Sequence, residues 1–192
     1  MLDLDSGPVH LSYSPGAGST TLCLSIASST LISGNRVIWL TREVPDSKRA
    51  QQILGDLSES ELDRLTIIHI ESDLHSTGPS IRSLLGNMQS NDLVIVEDWC
   101  ERSGKAPKEE ISAMIEIITN SRRGMCGVVF TSTSYGDPTG LSERKCRSER
   151  SFSEIARTAF LSRKEGGDEI RVLEDDGILS DLFISEKGFF PV

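Results

Sequence analysis

Runs of apolar residues alternate, as far as Thr131, with segments in which apolar residues recur every three or four positions. The runs predict buried strands, because a parallel sheet covered on both faces loses the alternation of apolar and polar residues. The periodic segments predict amphipathic helices that pack on such a sheet. Predicted strands cover residues 9–13, 36–41, 66–70, 92–97 and 127–131. Predicted helices cover residues 20–31, a segment that begins at Pro45 and contains Ala50, Ile53 and Leu54, a segment with Ile81, Leu84, Leu85 and Met88, and a segment that begins at Pro107.

The pattern changes after Thr131. Residues 132–150 are polar and basic and predict a loop. Short strands are predicted at residues 155–162, 169–173 and 182–185, with hairpin turns at 166–167 and 175–177 between them. Strand–helix units followed by hairpins predict an α/β fold, with a central, mostly parallel sheet flanked by helices and extended by antiparallel strands. No repeat or break in composition divides the sequence, so we expect a single domain over residues 1–192.

Composition and charge exclude several classes of function. A net charge of -9 argues against general nucleic-acid binding, although a local basic patch stays compatible with it. No apolar run is long enough to span a bilayer, and the acidic start of the chain is unlike a signal peptide. The scattered cysteines contain no C-x-x-C pair, which disfavours disulfides and a zinc site. We therefore expect a cytoplasmic, intracellular protein without a membrane partner.

The glycine-rich turn after the first predicted strand has the layout of a phosphate-binding loop. A P-loop reads G-x-x-x-x-G-K-[ST]: backbone amides cradle the phosphates, the lysine reaches the β- and γ-phosphates and the hydroxyl binds Mg²⁺. Here Tyr13 takes the first glycine position and Ser19 takes the lysine position. The candidate nucleotide-binding residues are Pro15, Gly16, Ala17, Gly18, Ser19, Thr20 and Thr21. The missing lysine leaves two interpretations open, a site that binds a nucleotide and a tight turn that binds none.

Several motifs occur in the order of a RecA-type ATPase core. They are the start of the chain at residues 2–8, the turn 14–22, the strands 37–43 and 93–98, and the segment 128–133 with the hairpins that follow it. The sequence thus resembles the RecA/RadA superfamily, and its compact size is most similar to the archaeal RadB-type recombinase paralogues, with KaiC-like proteins next. The resemblance implies ATP and Mg²⁺ as cofactors, ATP sites between adjacent subunits, and a role in homologous recombination and DNA repair.

The resemblance also implies roles for single residues. Glu43 matches the catalytic glutamate that activates the attacking water in this family. Thr20 and Glu97 match the Mg²⁺ site, in which the family usually has an aspartate instead of Glu97, and Asp98 is the neighbouring alternative ligand. Thr133 stands where a glutamine that senses the γ-phosphate is common. The departures in the loop, at Glu97 and at Thr133 together predict that hydrolysis is lost or greatly slowed.

The basic segment after the fifth predicted strand is a candidate DNA-binding site. Its cations are Arg144, Lys145, Arg147 and Arg150. In RecA-like proteins the corresponding loop contacts single-stranded DNA, and such contacts to phosphate are sensitive to salt and independent of base sequence. A loop whose charges pair with an acidic surface of the same protein explains the composition equally well.

Three functions follow from these features. The first is a pseudo-ATPase that acts as an accessory or regulatory subunit in recombination, together with a recombinase, another RecA-like subunit or copies of itself. The second is a KaiC-like switch, in which nucleotide binding orders a surface for a partner. The third is a slow ATPase that uses Thr20, Glu43 and Glu97, with a cation from elsewhere such as Lys105 or Lys108.

Overall fold

The computed structural model describes residues 2–136 and 144–192, except for the side chains of Pro79 and Ser80. The strands are β1 (Val9–Tyr13), β2 (Val37–Thr41), β3 (Leu65–His69), β4 (Leu93–Glu97), β5 (Gly127–Thr133), β6 (Arg157–Arg163), β7 (Ile170–Asp175), β8 (Ile178–Ser185) and β9 (Gly188–Pro191). The helices are α1 (Ser19–Ile32), α2 (Ser47–Leu54), α3 (Glu59–Leu62), α4 (Leu74–Leu85), α5 (Lys108–Arg123) and α6 (Glu149–Phe152).

The strands form one sheet in the order β3-β2-β4-β5-β1-β6-β7-β8-β9. All pairs from β3 to β6 are parallel, and β7, β8 and β9 continue the sheet with antiparallel pairs. The predicted α/β class and the antiparallel C-terminal strands are confirmed. Because parallel strands end at the same edge of a sheet, the loops after β1, β2, β4 and β5 collect there, which is where open α/β sheets bind ligands.

Apolar side chains cover both faces of the sheet. In β4, Leu93 and Ile95 join a core on one face, whereas Val94 and Val96 join a second core on the opposite face. Helices α1 and α2 pack over the first core, and α4 and α5 pack over the second. This double burial explains why the central strands are continuous apolar runs in the sequence.

The C-terminal strands differ most from the sequence prediction. Strand β8 extends beyond residues 182–185, and β9 was not predicted, because its four residues begin with glycine and end with proline. This short edge strand lies against α1, and the backbone amide of Phe189 donates to Ser25 Oγ at 3.0 Å. The C-terminal hairpins therefore pack against α1, the helix that follows the glycine-rich turn.

Smaller differences concern the helices and the loop. The helix predicted as far as Met88 ends at Leu85, before Gly86, although Met88 is buried in the same core. The short helix α3 was not predicted, and α6 begins inside the segment predicted as a loop. Residues 137–143 of that loop lie outside the described residues. Among the helices that the structure describes, none is both long and apolar enough to cross a membrane.

Candidate nucleotide site

The turn between β1 and α1 contains two glycines in a left-handed conformation. Gly16 and Gly18 have φ angles of 72° and 91°, a left-handed conformation that costs little only for glycine. The turn is closed by a hydrogen bond from the Ala17 amide to the Ser14 carbonyl oxygen at 2.9 Å. Helix α1 begins directly after Gly18, so the glycines bring the start of the helix up to the end of β1.

Several amides of this turn remain available to a ligand. Within the described part of the chain, the amides of Gly16, Gly18, Ser19 and Thr20 donate to no protein acceptor. The first amides of a helix carry a partial positive charge and commonly bind phosphate or sulfate. The backbone thus fits a nucleotide phosphate, although it supplies only neutral donors.

Ser19 cannot replace the lysine of a standard P-loop. Its side chain is short, uncharged and buried, with 7% of the residue exposed. No lysine in the described ranges, 2–136 and 144–192, hydrogen-bonds to residues 13–21. The charge that normally reaches the β- and γ-phosphates is therefore missing from this position.

Thr20 and Glu97 meet at the carboxyl edge of the sheet. The Thr20 hydroxyl donates to Glu97 Oε1, and Trp39 Nε1 donates to Oε2 of the same carboxylate at 3.2 Å. Glu97 is 6% exposed, and burial raises its pKa from 4.5 to about 7, a shift that the negative charge of Asp98 reinforces and the hydrogen bond from Thr20 opposes. The group is therefore a buried proton acceptor of near-neutral strength.

A hydroxyl beside a carboxylate fits Mg²⁺ when a nucleotide supplies further oxygen ligands. The described residues contain no cluster of three or more His, Cys, Asp or Glu that could hold a metal on its own. The pair of Thr20 and Glu97 therefore fits a metal that arrives with phosphate, and it does not form an independent metal centre.

Asp98 is directed to other partners. The Tyr13 hydroxyl donates to Asp98 Oδ1 at 2.5 Å, and Arg102 donates to Oδ2 through Nε and Nη2 at 3.0 and 2.9 Å. Burial and the neighbouring carboxylate of Asp98 raise the pKa of Tyr13, so the phenol stays protonated. The tyrosine at the first loop position thus ties the loop to the end of β4.

Glu43 lies at the same edge but is exposed. Its side chain is 76% exposed, and Oε2 accepts a hydrogen bond from Arg102 Nη2 at 3.2 Å. Arg102 therefore bridges Glu43 and Asp98. No described contact joins the Glu43 carboxylate to the loop or to Thr20.

Comparisons with known proteins identify the fold. No family model matches the chain, and no curated protein matches it. The structure is similar to "Crystal structure of the RadB recombinase", with a TM-score of 0.68 and 19% identity over 97% of this chain and 91% of that one. It is also similar to "The Structure Of A DnaB-Like Replicative Helicase And Its Interactions With Primase", with a TM-score of 0.66 and 14% identity over 93% of this chain and 56% of that one. The chain has a RecA-like fold.

The basic residues of the candidate DNA site lie in different surroundings. Arg144 pairs with Glu174 at 3.5 Å, and Lys145 pairs through its backbone with Tyr135. Arg147 Nη1 donates to the Gly104 carbonyl oxygen at 2.8 Å, whereas Arg150 is exposed on α6. Arg147 therefore holds the loop after β4, and Arg150 faces solvent.

Three arginines around the turn and the end of β4 were not assigned to the candidate nucleotide site from the sequence. Arg102 bridges two carboxylates, while Arg163 and Arg171 donate to carbonyl oxygens of the glycine-rich turn. The position of Arg102 four residues after Asp98 was a weak signal. Arg163 and Arg171 reach the turn only through the order and register of the sheet, which no local pattern reveals.

Proposed function

We propose that the chain is a catalytically degenerate RecA-like subunit that keeps a phosphate-binding loop but hydrolyses ATP little or not at all. As a single domain, it acts as an accessory or regulatory partner in homologous recombination and DNA repair. The observation that carries this proposal is Ser19, a small, buried and neutral residue that stands where a P-loop has its lysine, directly after the left-handed Gly18 and at the start of α1.

The charges around the loop support slow hydrolysis. Phosphoryl transfer depends on cations that stabilise charge on the γ-phosphate. The arginines that contact the turn, Arg163 and Arg171, donate to its carbonyl oxygens. The candidate base Glu43 is solvent-exposed and hydrogen-bonded to Arg102, and a general base is effective only when it is positioned at its proton donor.

The retained features support phosphate binding. The open amides at the start of α1 suit an anion, and Thr20 with Glu97 suits the Mg²⁺ that accompanies a nucleotide. The likeness to the RadB recombinase supports a place in recombination, with copies of the chain or another RecA-like subunit as its partner. Exposed Arg150 supports weak contact with single-stranded DNA.

The test is to restore the missing charge. Calorimetric titration with ATP and with a non-hydrolysable analogue, with and without Mg²⁺, would compare the wild type with Ser19→Lys. Ser29→Lys is the matched control, because Ser29 is exposed on the same helix and the charge change is identical. We expect Ser19→Lys to tighten Mg²⁺-dependent binding about tenfold or more, as one charge-assisted contact would do, and Ser29→Lys to leave it unchanged.

Turnover and DNA binding separate the proposal from its alternatives. Mg²⁺-dependent ATP hydrolysis by the wild type that Glu43→Gln abolishes would refute the degenerate site and favour a slow ATPase. Tight nucleotide binding without affinity for single-stranded DNA would favour a nucleotide switch instead. The proposed subunit should show weak DNA binding that falls steeply as salt rises.

A further inference from the structure

Arg163 and Arg171 lie side by side against the glycine-rich turn. Arg163 is the last residue of β6 and Arg171 is the second residue of β7, and the two are direct partners in the antiparallel register. Strand β6 also pairs with β1, and the Ser14 amide donates to the Leu161 carbonyl oxygen at 2.9 Å. The end of the hairpin is thereby fixed beside the turn.

The arginines bind consecutive carbonyl oxygens. Arg163 Nε donates to the Gly16 oxygen at 3.1 Å, and Arg171 Nε donates to the Ala17 oxygen at 3.0 Å. Arg171 Nη1 also donates to the carbonyl oxygens of Asp168 and Ile170, at 2.7 and 3.0 Å. These contacts hold the guanidinium of Arg171 in one orientation.

These contacts determine where the turn amides point. The N–H and C=O of a trans peptide point in opposite directions. When Arg171 holds the Ala17 carbonyl on one side, the Gly18 amide must point to the other side, away from the arginine. Likewise, the Gly16 carbonyl faces Arg163 while the Ala17 amide closes the turn onto Ser14. Arg171 thus orients the Gly18 amide as a donor for an external acceptor, and Arg163 steadies the preceding peptide, whose amide closes the turn.

The charges of the pair also favour an anion at the turn. Arg171 is 6% exposed, and within the described part of the chain no carboxylate forms an ion pair with either arginine. Like charges on directly opposite strand positions are destabilising. Burial and the charge of Arg163 lower the pKa of Arg171, and the carboxylate of Asp168 opposes this shift without forming an ion pair. A phosphate bound to the turn amides would offset both unfavourable effects.

We propose that Arg163 and Arg171 are the positioning residues of this loop: Arg171 orients the Gly18 amide for a phosphate group of a nucleotide, Arg163 fixes the turn peptide before it, and both supply positive potential that Ser19 lacks. This inference rests on the proposed retention of phosphate binding. It assigns the support of phosphate binding, but not the lysine's direct contact with the γ-phosphate, to residues outside the loop that act through the backbone. The expected ligand class is a di- or triphosphate, which inorganic pyrophosphate represents in its simplest form.

The test follows the glycine amides of the full chain, labelled with ¹⁵N-glycine, during titration with pyrophosphate and with a non-hydrolysable ATP analogue plus Mg²⁺. In the wild type we expect the Gly16 and Gly18 resonances to shift and saturate. Arg163→Gln and Arg171→Gln should each weaken the apparent affinity about tenfold or more. Arg123→Gln, an exposed residue at the end of α5, is the control and should bind like the wild type.

Arg171→Lys separates orientation from charge. Lysine keeps the charge, but its single ammonium cannot reproduce the planar fork that donates to Ala17 and Asp168 together, so binding should remain weakened. Wild-type affinity in Arg171→Lys would overturn the orienting role. If Arg171 variants do not fold, as judged by thermal unfolding, Arg163→Gln at an exposed position still tests whether the charge of the pair supports phosphate binding.

The outcomes distinguish this inference from the proposed function. Binding in Arg163→Gln and Arg171→Gln within about twofold of the wild type would overturn the inference alone, because retained phosphate binding would still stand. A wild type whose glycine resonances respond to neither probe would overturn the inference together with retained phosphate binding. Selective weakening in the two variants, with the control unaffected, would support it.

Discussion

The buried carboxyl group of Glu97 should make the stability of the protein depend on pH in an unusual direction. Glu97 is 6% exposed, and its carboxylate accepts hydrogen bonds from Thr20 and Trp39. Burial nevertheless dominates and raises its pKa from 4.5 to about 7. The folded protein thus holds a proton at this group over a pH range in which the unfolded chain has released it.

The sign and size of the effect follow from this difference. A carboxyl group whose pKa is raised by folding favours the folded state below pH 4.5, and that contribution is lost as the pH rises to about 7. Each pKa unit corresponds to about 1.4 kcal/mol, so the loss amounts to about 3 kcal/mol in the free energy of unfolding.

Glu97→Gln should remove this dependence. The amide carbonyl accepts from Trp39 and the NH₂ group donates to Thr20, so glutamine mimics the protonated acid. In urea unfolding from pH 4.5 to 8.5, the variant should equal the wild type at the acidic end and exceed it by up to about 3 kcal/mol at the basic end. Glu101→Gln, at a side chain that is 76% exposed, is the control and should follow the wild type at every pH.

The difference between Glu97→Gln and the wild type isolates one group from the other titrating residues. A difference that is constant from pH 4.5 to 8.5 would show that Glu97 has the same pKa in the folded and unfolded chains, and the reasoning from burial would then be wrong. A wild type that gains stability relative to the variant as the pH rises would contradict the sign.

Further predictions concern the loop, the core and the basic segment. Tyr13→Phe removes the hydrogen bond to Asp98 and should lower the free energy of unfolding by about 1–3 kcal/mol in urea, whereas an unchanged midpoint would contradict it. Gly18→Ala places a Cβ atom at a residue with φ 91°, 3.1 Å from Ile184 Cδ1. It should lower the free energy of unfolding by about 1–2 kcal/mol and weaken pyrophosphate binding. Unchanged pyrophosphate affinity in calorimetry would refute the predicted effect on binding. Phe152→Ala removes a fully buried ring that packs against Trp99 and Phe130, and it should lower the free energy of unfolding by about 3–5 kcal/mol in the same unfolding assay. A decrease below about 1 kcal/mol would contradict this prediction. Arg150→Ala should weaken binding to single-stranded DNA equally for different base sequences and lower its salt dependence, as fluorescence anisotropy would measure, and unchanged affinity would count against this residue.

Much of the fold followed from local pattern. The apolar run of β4 and the helical spacing in α5 each match an element of the structure. A strand buried on both faces is a continuous apolar run, and a helix buried on one face has apolar residues every three or four positions. Strand β9 left no such signature, since it has four residues and its last two are exposed. A short edge strand is stabilised mainly by the strand that it pairs with, and the local sequence does not show which strand that is.

The contacts within the candidate site could be anticipated from the sequence only in part, and its role in nucleotide binding stays a prediction. The structure brings Thr20 to Glu97 at the sheet edge, where parallel strands end and where the order of motifs places both residues. The carboxylate of Asp98 instead accepts hydrogen bonds from Tyr13 and Arg102. Which groups it meets depends on the left-handed backbone of Asp98, with a φ angle of 48°. Whether Glu43 acts as a base stays a prediction, since its role was inferred from resemblance.

The sequence by itself determined the succession of the longer strands and helices and the glycine-rich turn between the first two of them, because the period of burial and the conformational freedom of glycine are local properties. Only the tertiary structure decided which distant groups meet. Arg171 reaches the Ala17 carbonyl across a separation of 154 residues, and Tyr13 reaches Asp98 across 85. Such contacts depend on strand order and register, which the packing of both cores fixes together and no single segment specifies.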